Sequence, residues 1–203
     1  MIKIDVKKEH KNLYQPGDKK CVQVQVPDMN FLMIDGQGDP NTAPAYQQAV
    51  EALYSVAYTL KFMVKKDNPD VDYVVPPLEG LWWCDDMAAF SIENKNDWKW
   101  TMMIMQPEFI TAEMVQNGIT QVREKKDPPA LDKIRFEKYH EGRAAQIMHI
   151  GPYSAEGPTV AALHQFIREQ GKELRGKHHE IYLNDPRKTS WSKMKTVIRQ
   201  PMG

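Results

Sequence analysis

The chain has only two cysteines, Cys21 and Cys84, in 203 residues. Two cysteines so far apart cannot build a disulfide framework, so the fold must rest on its apolar core, and a reducing cytoplasm is the expected home. Neither sign of charge is in excess, since 27 Lys and Arg balance 27 Asp and Glu. Chains that bind nucleic acid by neutralising phosphates carry a basic excess or stripe; without one, direct nucleic-acid binding is not expected. Long apolar runs are missing too. The stretches Leu60 to Val64 and Trp100 to Met105 fall far short of the ~20 residues that span a bilayer, so no membrane association is expected. The opening MIKIDVKKEHK mixes charge with apolar residues and lacks the apolar centre of a secretion signal. Several catalytic signatures are absent: no P-loop, no GxSxG, no CxxC and no HExxH, while GQGDP at 36–40 lacks the third glycine of a dinucleotide site. Nucleotide hydrolysis and NAD chemistry are therefore not expected.

What is present is a pattern that runs twice. Cys21 to Val26 alternates apolar and polar residues, and after Pro27 the run Phe31 to Ile34 continues as a strand bulged near the proline. GQGDP is a turn. From Thr42, a candidate N-cap, with Pro44 in the first turn, apolar residues recur at Tyr46, Ala49, Leu53, Val56, Leu60 and Met63, the stripe of an amphipathic helix predicted to stop before KKDNPD. Extended segments follow at Leu78 to Trp83 and Trp98 to Met105. The second half repeats the order with a strand from Arg143 to Ile150, a helix bearing Val160, Leu163, Phe166 and Ile167, then His178 to Leu183 and Met194 to Pro201. IMQP at 104–107 matches IRQP at 198–201, and the pair Asp85 and Asp86 matches Asn184 and Asp185. Between the copies lie a helix from about Thr111 to Lys126, a Pro128–Pro129 loop, and a strand at 133–140 expected to form a hairpin with the segment after Gly142.

This weak internal repeat predicts an α+β fold of duplicated β-α-β-β units with pseudo-two-fold symmetry. It would be a single domain over 1–203: a first unit at about 20–107, a connection at 108–132, and a second unit at about 133–201. The expected architecture is an antiparallel sheet with helices on one side and a central ligand cleft where the units meet. A duplicated chain supplies its own pseudo-dimer, so a monomer is expected.

Candidate chemistry centres on one carboxylate among aromatic rings. In HHEIYL at 178–183, alternation puts Glu180 and Tyr182 on one face and Ile181 and Leu183 on the other. With the apolar pair against the helices, Glu180 would face the open side of the sheet. A carboxylate among rings attracts a cationic ligand or, when desolvated, exchanges protons near neutrality. Trp82, Trp83, Trp98 and Trp100 exceed what a small sheet needs for packing, and twelve methionines suit either an irregular core or an adaptable ligand surface, with Met33 and Met105 as candidate lining residues. His178 and His179 point to opposite faces of their strand and cannot ligate one metal; a packing or surface role is expected for them. No metal site is predicted.

HIGPY at 149–153, HEIYLNDP at 179–186, KTVIRQP at 195–201 and PPLEGLWW at 76–83 together resemble the stand-alone branch of the GyrI-like small-molecule-binding family, in order and over nearly the whole span from Cys21 to Pro201. The resemblance implies a duplicated fold with a central cleft that binds bulky, hydrophobic and often cationic compounds, and it implies no cofactor. Some relatives are effector domains of multidrug-responsive regulators, others resemble gyrase inhibitors, and a stand-alone group hydrolyses cyclopropane-bearing genotoxins. The family's central acidic residue maps onto Glu180. The usual aromatic before it is His179 here, a departure that bears on pocket shape, and no DNA-binding domain precedes the fold, so a transcription regulator is not expected. In the enzymatic reading Glu180 deprotonates water, Tyr153 or Tyr182 donates to a developing phenolate, and Trp83 and Trp100 hold a flat ligand. In the binding reading Glu180 is the counter-charge for a sequestered cation. For a gyrase-type protein partner the neutral chain offers no distinct patch.

Overall fold

A computed structural model describes residues 2–85 and 95–203. Asp86, one of the matched acidic pair, lies outside the described residues. The predicted repeat is realised as β3 (Met29–Gln37), α3 (Pro44–Asp67), β5 (Leu78–Trp83) and β6 (Lys99–Gln106), then β8 (Gly142–Ile150), α5 (Gly157–Glu169), β9 (His178–Tyr182) and β10 (Lys195–Pro201). Around these lie β1 (Ile2–Ile4), α1 (Val6–Glu9), α2 (Lys11–Tyr14), β2 (Val22–Val26), β4 (Val71–Tyr73), α4 (Ala112–Lys125) and β7 (Arg135–Tyr139). Helix α3 buries Ala49, Leu53, Val56, Leu60 and Val64 along one stripe, as the spacing predicts. Thr42 is not its cap: Ala43 takes that position without a side-chain bond, and Asp39 O accepts from the Thr42 and Ala43 amides. The helix also runs three residues further than predicted, through Lys65, Lys66 and Asp67. Lys65 and Lys66 favour its carbonyl end, and termination comes at Asn68, the residue that Pro69 keeps out of helical geometry.

Eight strands form one antiparallel sheet in the order β2-β8-β10-β9-β5-β6-β3-β7, curled into a half-barrel. The order is a palindrome about the β9–β5 seam: β8, β10 and β9 of one unit mirror β3, β6 and β5 of the other. Strand β7 corrects an expectation. It does not form a hairpin with β8 but pairs with β3 of the first unit, while β2 pairs with β8 of the second. The register explains the exchange. Val26 opposes Gly142 and Met29 opposes Tyr139, so one ladder passes the break without a slip. Each of β2–β3 and β7–β8 is therefore a long bent strand. Pro27 cannot donate to the ladder at the bend, and His140 bonds Asp28 across it. A two-residue hairpin of the preferred type needs positive φ at both loop positions; here only Gly142 (φ 73°) is positive, and it bends the chain rather than reversing it.

Helices α3, α4 and α5 cover one face of the sheet. The other face is not open. Val6, Leu13 and Tyr14, from a segment that sequence periodicity left unassigned, pack there on Phe31, Met103, Ile181 and Val197. Beneath them lies a buried polar network. His179 places Nδ1 2.8 Å from Glu141 and Nε2 2.9 Å from Glu79, and the Tyr14 hydroxyl donates to Glu79 at 2.9 Å. Arg199 donates to Glu141, Gln146 and the Leu13 carbonyl, and Gln146 donates to the Asn12 carbonyl. The network thus fastens the N-terminal segment to the sheet. Among the described residues no helix is long and apolar enough to cross a membrane.

Burial alone would lower the His179 pKa, but the Glu141 charge and the bonds to both carboxylates raise it from 6.5 to about 9. Burial would raise Glu141; His179 and Arg199 instead hold it near 2, below 4.5. The sign follows for each group. The His179 contribution is complete below pH 6.5 and is lost as pH rises toward 9. The Glu141 contribution is complete above pH 4.5 and is lost as pH falls toward 2. Urea unfolding across pH should therefore show stability falling on both flanks, with His179→Gln flattening the alkaline one. Arg199→Met, which leaves Glu141 buried with one cation fewer, should cost about 3–5 kcal/mol; a loss under about 1 kcal/mol would show that the network is not needed for stability.

Candidate active site

Strand β9 sits at the seam between the two units, and its alternation sends His178, Glu180 and Tyr182 into a cleft between α3 and α5. Glu180 and Tyr182 share one face, as the pattern predicts. That face is the helix-bearing one, however, and Ile181 and Leu183 pack on the opposite side. The expectation is inverted because the face away from the helices is filled by the N-terminal segment, whereas α3 and α5 leave a cleft over β9 and β5. The same alternation settles His179: it points away from the cleft into the buried network, so its replacement of the family's aromatic does not shape the pocket wall. His178 and His179 are both buried rather than on the surface.

Glu180 is held from two sides. The Tyr182 hydroxyl donates to Oε2 at 2.7 Å, and His178 Nε2 lies 3.2 Å from Oε1. Trp82 Nε1 donates to the Tyr182 oxygen at 3.0 Å, fixing the phenol between indole and carboxylate. Burial, and then the Glu180 charge, push the Tyr182 pKa well up, so this hydroxyl remains a donor. Tyr46 stacks on Trp82 with centroids 6.1 Å apart, and Trp98 meets Trp82 edge-on at 5.6 Å. Tyr153, in the turn before α5, presents its edge to Tyr182 at 5.6 Å and to Trp191 at 6.1 Å. Burial, then Glu156 and Glu180, raise the Tyr153 phenol to about 12.

The sequence-predicted residues divide between the faces. Glu180, Tyr182 and Tyr153 come together in the cleft. Trp100 is on the same face but fully buried beneath it, edge-on to Tyr46 and packed over Gly36. Trp83, Met33 and Met105 are on the opposite face, in or against the cluster around Phe31 and Ile181, and Lys177 Nζ lies 3.3 Å from the Trp83 ring centroid. The physical reason is the two-residue period of a strand: Trp82 faces the cleft, so its neighbour cannot. Among the residues not singled out from sequence, Tyr46 and Glu156 line the cleft and Gly80 lies beside it. Tyr46 was visible only as one member of the α3 stripe. Glu156 gave no signal beyond a turn at GPYSAEGP. Gly80 was legible in principle, since glycine inside a strand marks a close approach. It opposes Glu180 across the β5–β9 pair, and a Cβ there would fall 2.5 Å from Met102 Cε and 2.7 Å from Trp82 Nε1. Among the described residues no group of three or more His, Cys, Asp or Glu is placed to hold a metal ion.

The description of the GyrI-like small-molecule-binding domain matches residues 19–201. The chain belongs to this family. No curated protein matches it. Among solved structures, an uncharacterized conserved protein from Listeria innocua is 43% identical, with a TM-score of 0.91 over 98% of this chain and 100% of the other. A hydrolase from Listeria innocua is 41% identical over 100% of both chains, with a TM-score of 0.88. The EcmrR C-terminal domain shares the fold at 13% identity, with a TM-score of 0.57 over 91% of this chain and 97% of the other. In this chain the cleft lies over the β9–β5 seam of the two repeats, where Glu180 stands.

Gly80→Ala should push Trp82 and Met102 from their places and open the Trp82–Tyr182 bond. Overpacking of this kind costs about 1–3 kcal/mol. Urea unfolding should show that loss, and Trp fluorescence should shift as Trp82 moves; wild-type values for both would mean that the cleft floor yields without strain.

Proposed function

We propose that this GyrI-like protein is a cytoplasmic hydrolase of bulky, flat, hydrophobic electrophiles, acting on a genotoxin whose cyclopropane ring is conjugated to a dienone. The observation that carries this reading is a mostly buried carboxylate, Glu180, with 16% side-chain exposure, set among the rings of Trp82, Tyr46, Tyr182 and Tyr153 in a cleft wide enough for a flat ligand. A relative 41% identical over its full length is a hydrolase, which supports the assignment to catalysis.

The chemistry asks little of the protein. A water oxygen bonds to the strained methylene while the adjacent ring C–C bond breaks, and that electron pair flows through the dienone to leave a phenolate oxygen. Glu180 accepts the proton that the water loses. The phenolate takes a proton from solvent, and Glu180 returns its own to solvent, so the net change is addition of one water. Tyr153 stabilises the charge as it develops: its high pKa keeps the hydroxyl protonated at neutral pH, able to donate to the nascent oxyanion. The Tyr182–Glu180 bond keeps the carboxylate aimed, and the stacked Trp82 and Tyr46 rings give the flat ligand a wall.

The test is to incubate the protein with a planar cyclopropane-dienone compound and follow its mass for addition of one water. Wild type should convert it, and Glu180→Gln should be slower by about 10²–10⁴-fold, the range for loss of a general base. Equal turnover by Glu180→Gln would remove Glu180 from the chemistry. No turnover by either protein, with the compound nevertheless shielded from DNA, would leave a sequestering module in which Glu180 serves as counter-charge.

A further inference from the structure

Glu156 has no role in the scheme above, and its placement is unusual. It occupies the N-cap position of α5, directly after the Tyr153–Ala155 turn, without making a side-chain capping bond. It is only 6% exposed yet lines the cleft. Its Oε1 is buried with no hydrogen-bond partner, as is Oγ1 of Thr196 on β10 beside it. Two side chains act on it at close range, the Thr196 hydroxyl and, from β9, another carboxyl, that of Glu180.

Two carboxylates this close in a half-dry site cannot both ionise near neutrality, since each raises the cost of charging the other. We propose that Glu156 and Glu180 share one proton, so that the cleft carries a single negative charge, and that a lipophilic cation seated against the pair expels that proton to solvent. The inference rests on the reading of this cleft as the small-molecule site and deepens it by naming two ligand classes. With the proton in place, the cleft accepts a neutral flat electrophile and keeps one carboxylate as a base. With the proton gone, it presents two carboxylates to a cation. Glu156 is thus a positioning residue: it takes the shared proton itself and leaves the Glu180 carboxyl to the ligand.

The surroundings fit this assignment. Glu180, His178 and Tyr182 face the pair from β9, and Thr196 from β10. Tyr153 comes from the turn, His164 from α5, and Tyr46 and Tyr54 from α3. His149 on β8 is engaged with Thr159 at 3.0 Å. Burial, and then the Glu180 charge, push the Glu156 carboxyl up to about 9, the direction that the geometry requires.

Two measurements test the proposal. The first needs no ligand: in protein labelled with ¹³C at the Glu carboxyl carbons, one carboxyl should titrate far above the others, near pH 9. Glu156→Gln should abolish that transition, and Glu180→Gln should return the Glu156 signal to the acid range. If every carboxyl of the wild type titrates below pH 6, the shared proton is refuted. The second uses ethidium, a flat and permanently charged cation. Its affinity should rise about tenfold between pH 7.5 and 8.5, above the ordinary histidine range, with about one proton released per ethidium in calorimetry across buffers of different ionisation heat. Glu156→Gln should bind ethidium with no such slope. A wild-type affinity independent of pH would overturn the coupling. If ethidium does not bind while the high carboxyl still titrates, the cation half fails and the shared proton stands, while the hydrolase reading is decided separately by turnover of the cyclopropane-dienone.

Discussion

Strand β9 is covered on one face and floors the cleft on the other, and it carries an ionisable group on each. This constraint shapes the rest of the molecule. On one face His179 is held between Glu79 and Glu141, with Arg199 completing the balance, so that charge is compensated inside the fold. On the other, Glu180 is held by Tyr182 and His178 and opens toward the cleft. A charge removed from water costs several kcal/mol unless it is paired and hydrogen-bonded. The structural face therefore needs the N-terminal segment to complete and cover its network. The cleft face gives Glu180 two hydrogen-bonding partners and leaves the carboxylate partly exposed.

The exchange of edge strands joins the two repeats firmly enough for such a seam to persist. Because β2–β3 and β7–β8 run on through a shared register, neither unit can close its sheet without a strand from the other. The seam between β9 and β5 is thus in the middle of a continuous hydrogen-bonded sheet rather than at a loose interface. A cleft floor built there is rigid, which suits the placing of a carboxylate against rings with small tolerances. Gly80 shows how small: the space that a methyl group would need is taken by Met102 and Trp82.

Much of the fold was legible because periodicity is a local property. The α3 stripe, the LEGLWW strand and the matching IMQP and IRQP segments could be read directly, and from them the duplicated architecture. Strand partners were less legible, because β7 and β8 are neighbours in sequence and only the absence of a reversing turn separates a hairpin from a crossing. The first twenty residues gave no period at all. Their role, to cover the polar network, depends on Tyr14 meeting Glu79, 65 positions along the chain, and on the Leu13 and Asn12 carbonyls meeting Arg199 and Gln146, more than a hundred positions away.

Sequence by itself determined that Glu180 and Tyr182 share a face, that His178 and His179 do not, and that the chain is a repeat, because strand alternation and helical spacing are set by backbone geometry. It could not determine which face bears the cleft. That depends on what packs above and below the sheet, so the tertiary structure alone chose Trp82 over Trp83, placed Met33 and Met105 on the far side, and brought Glu156 to Glu180. A strand fixes the relative facing of its residues, and only the layers around it fix which facing is the open one.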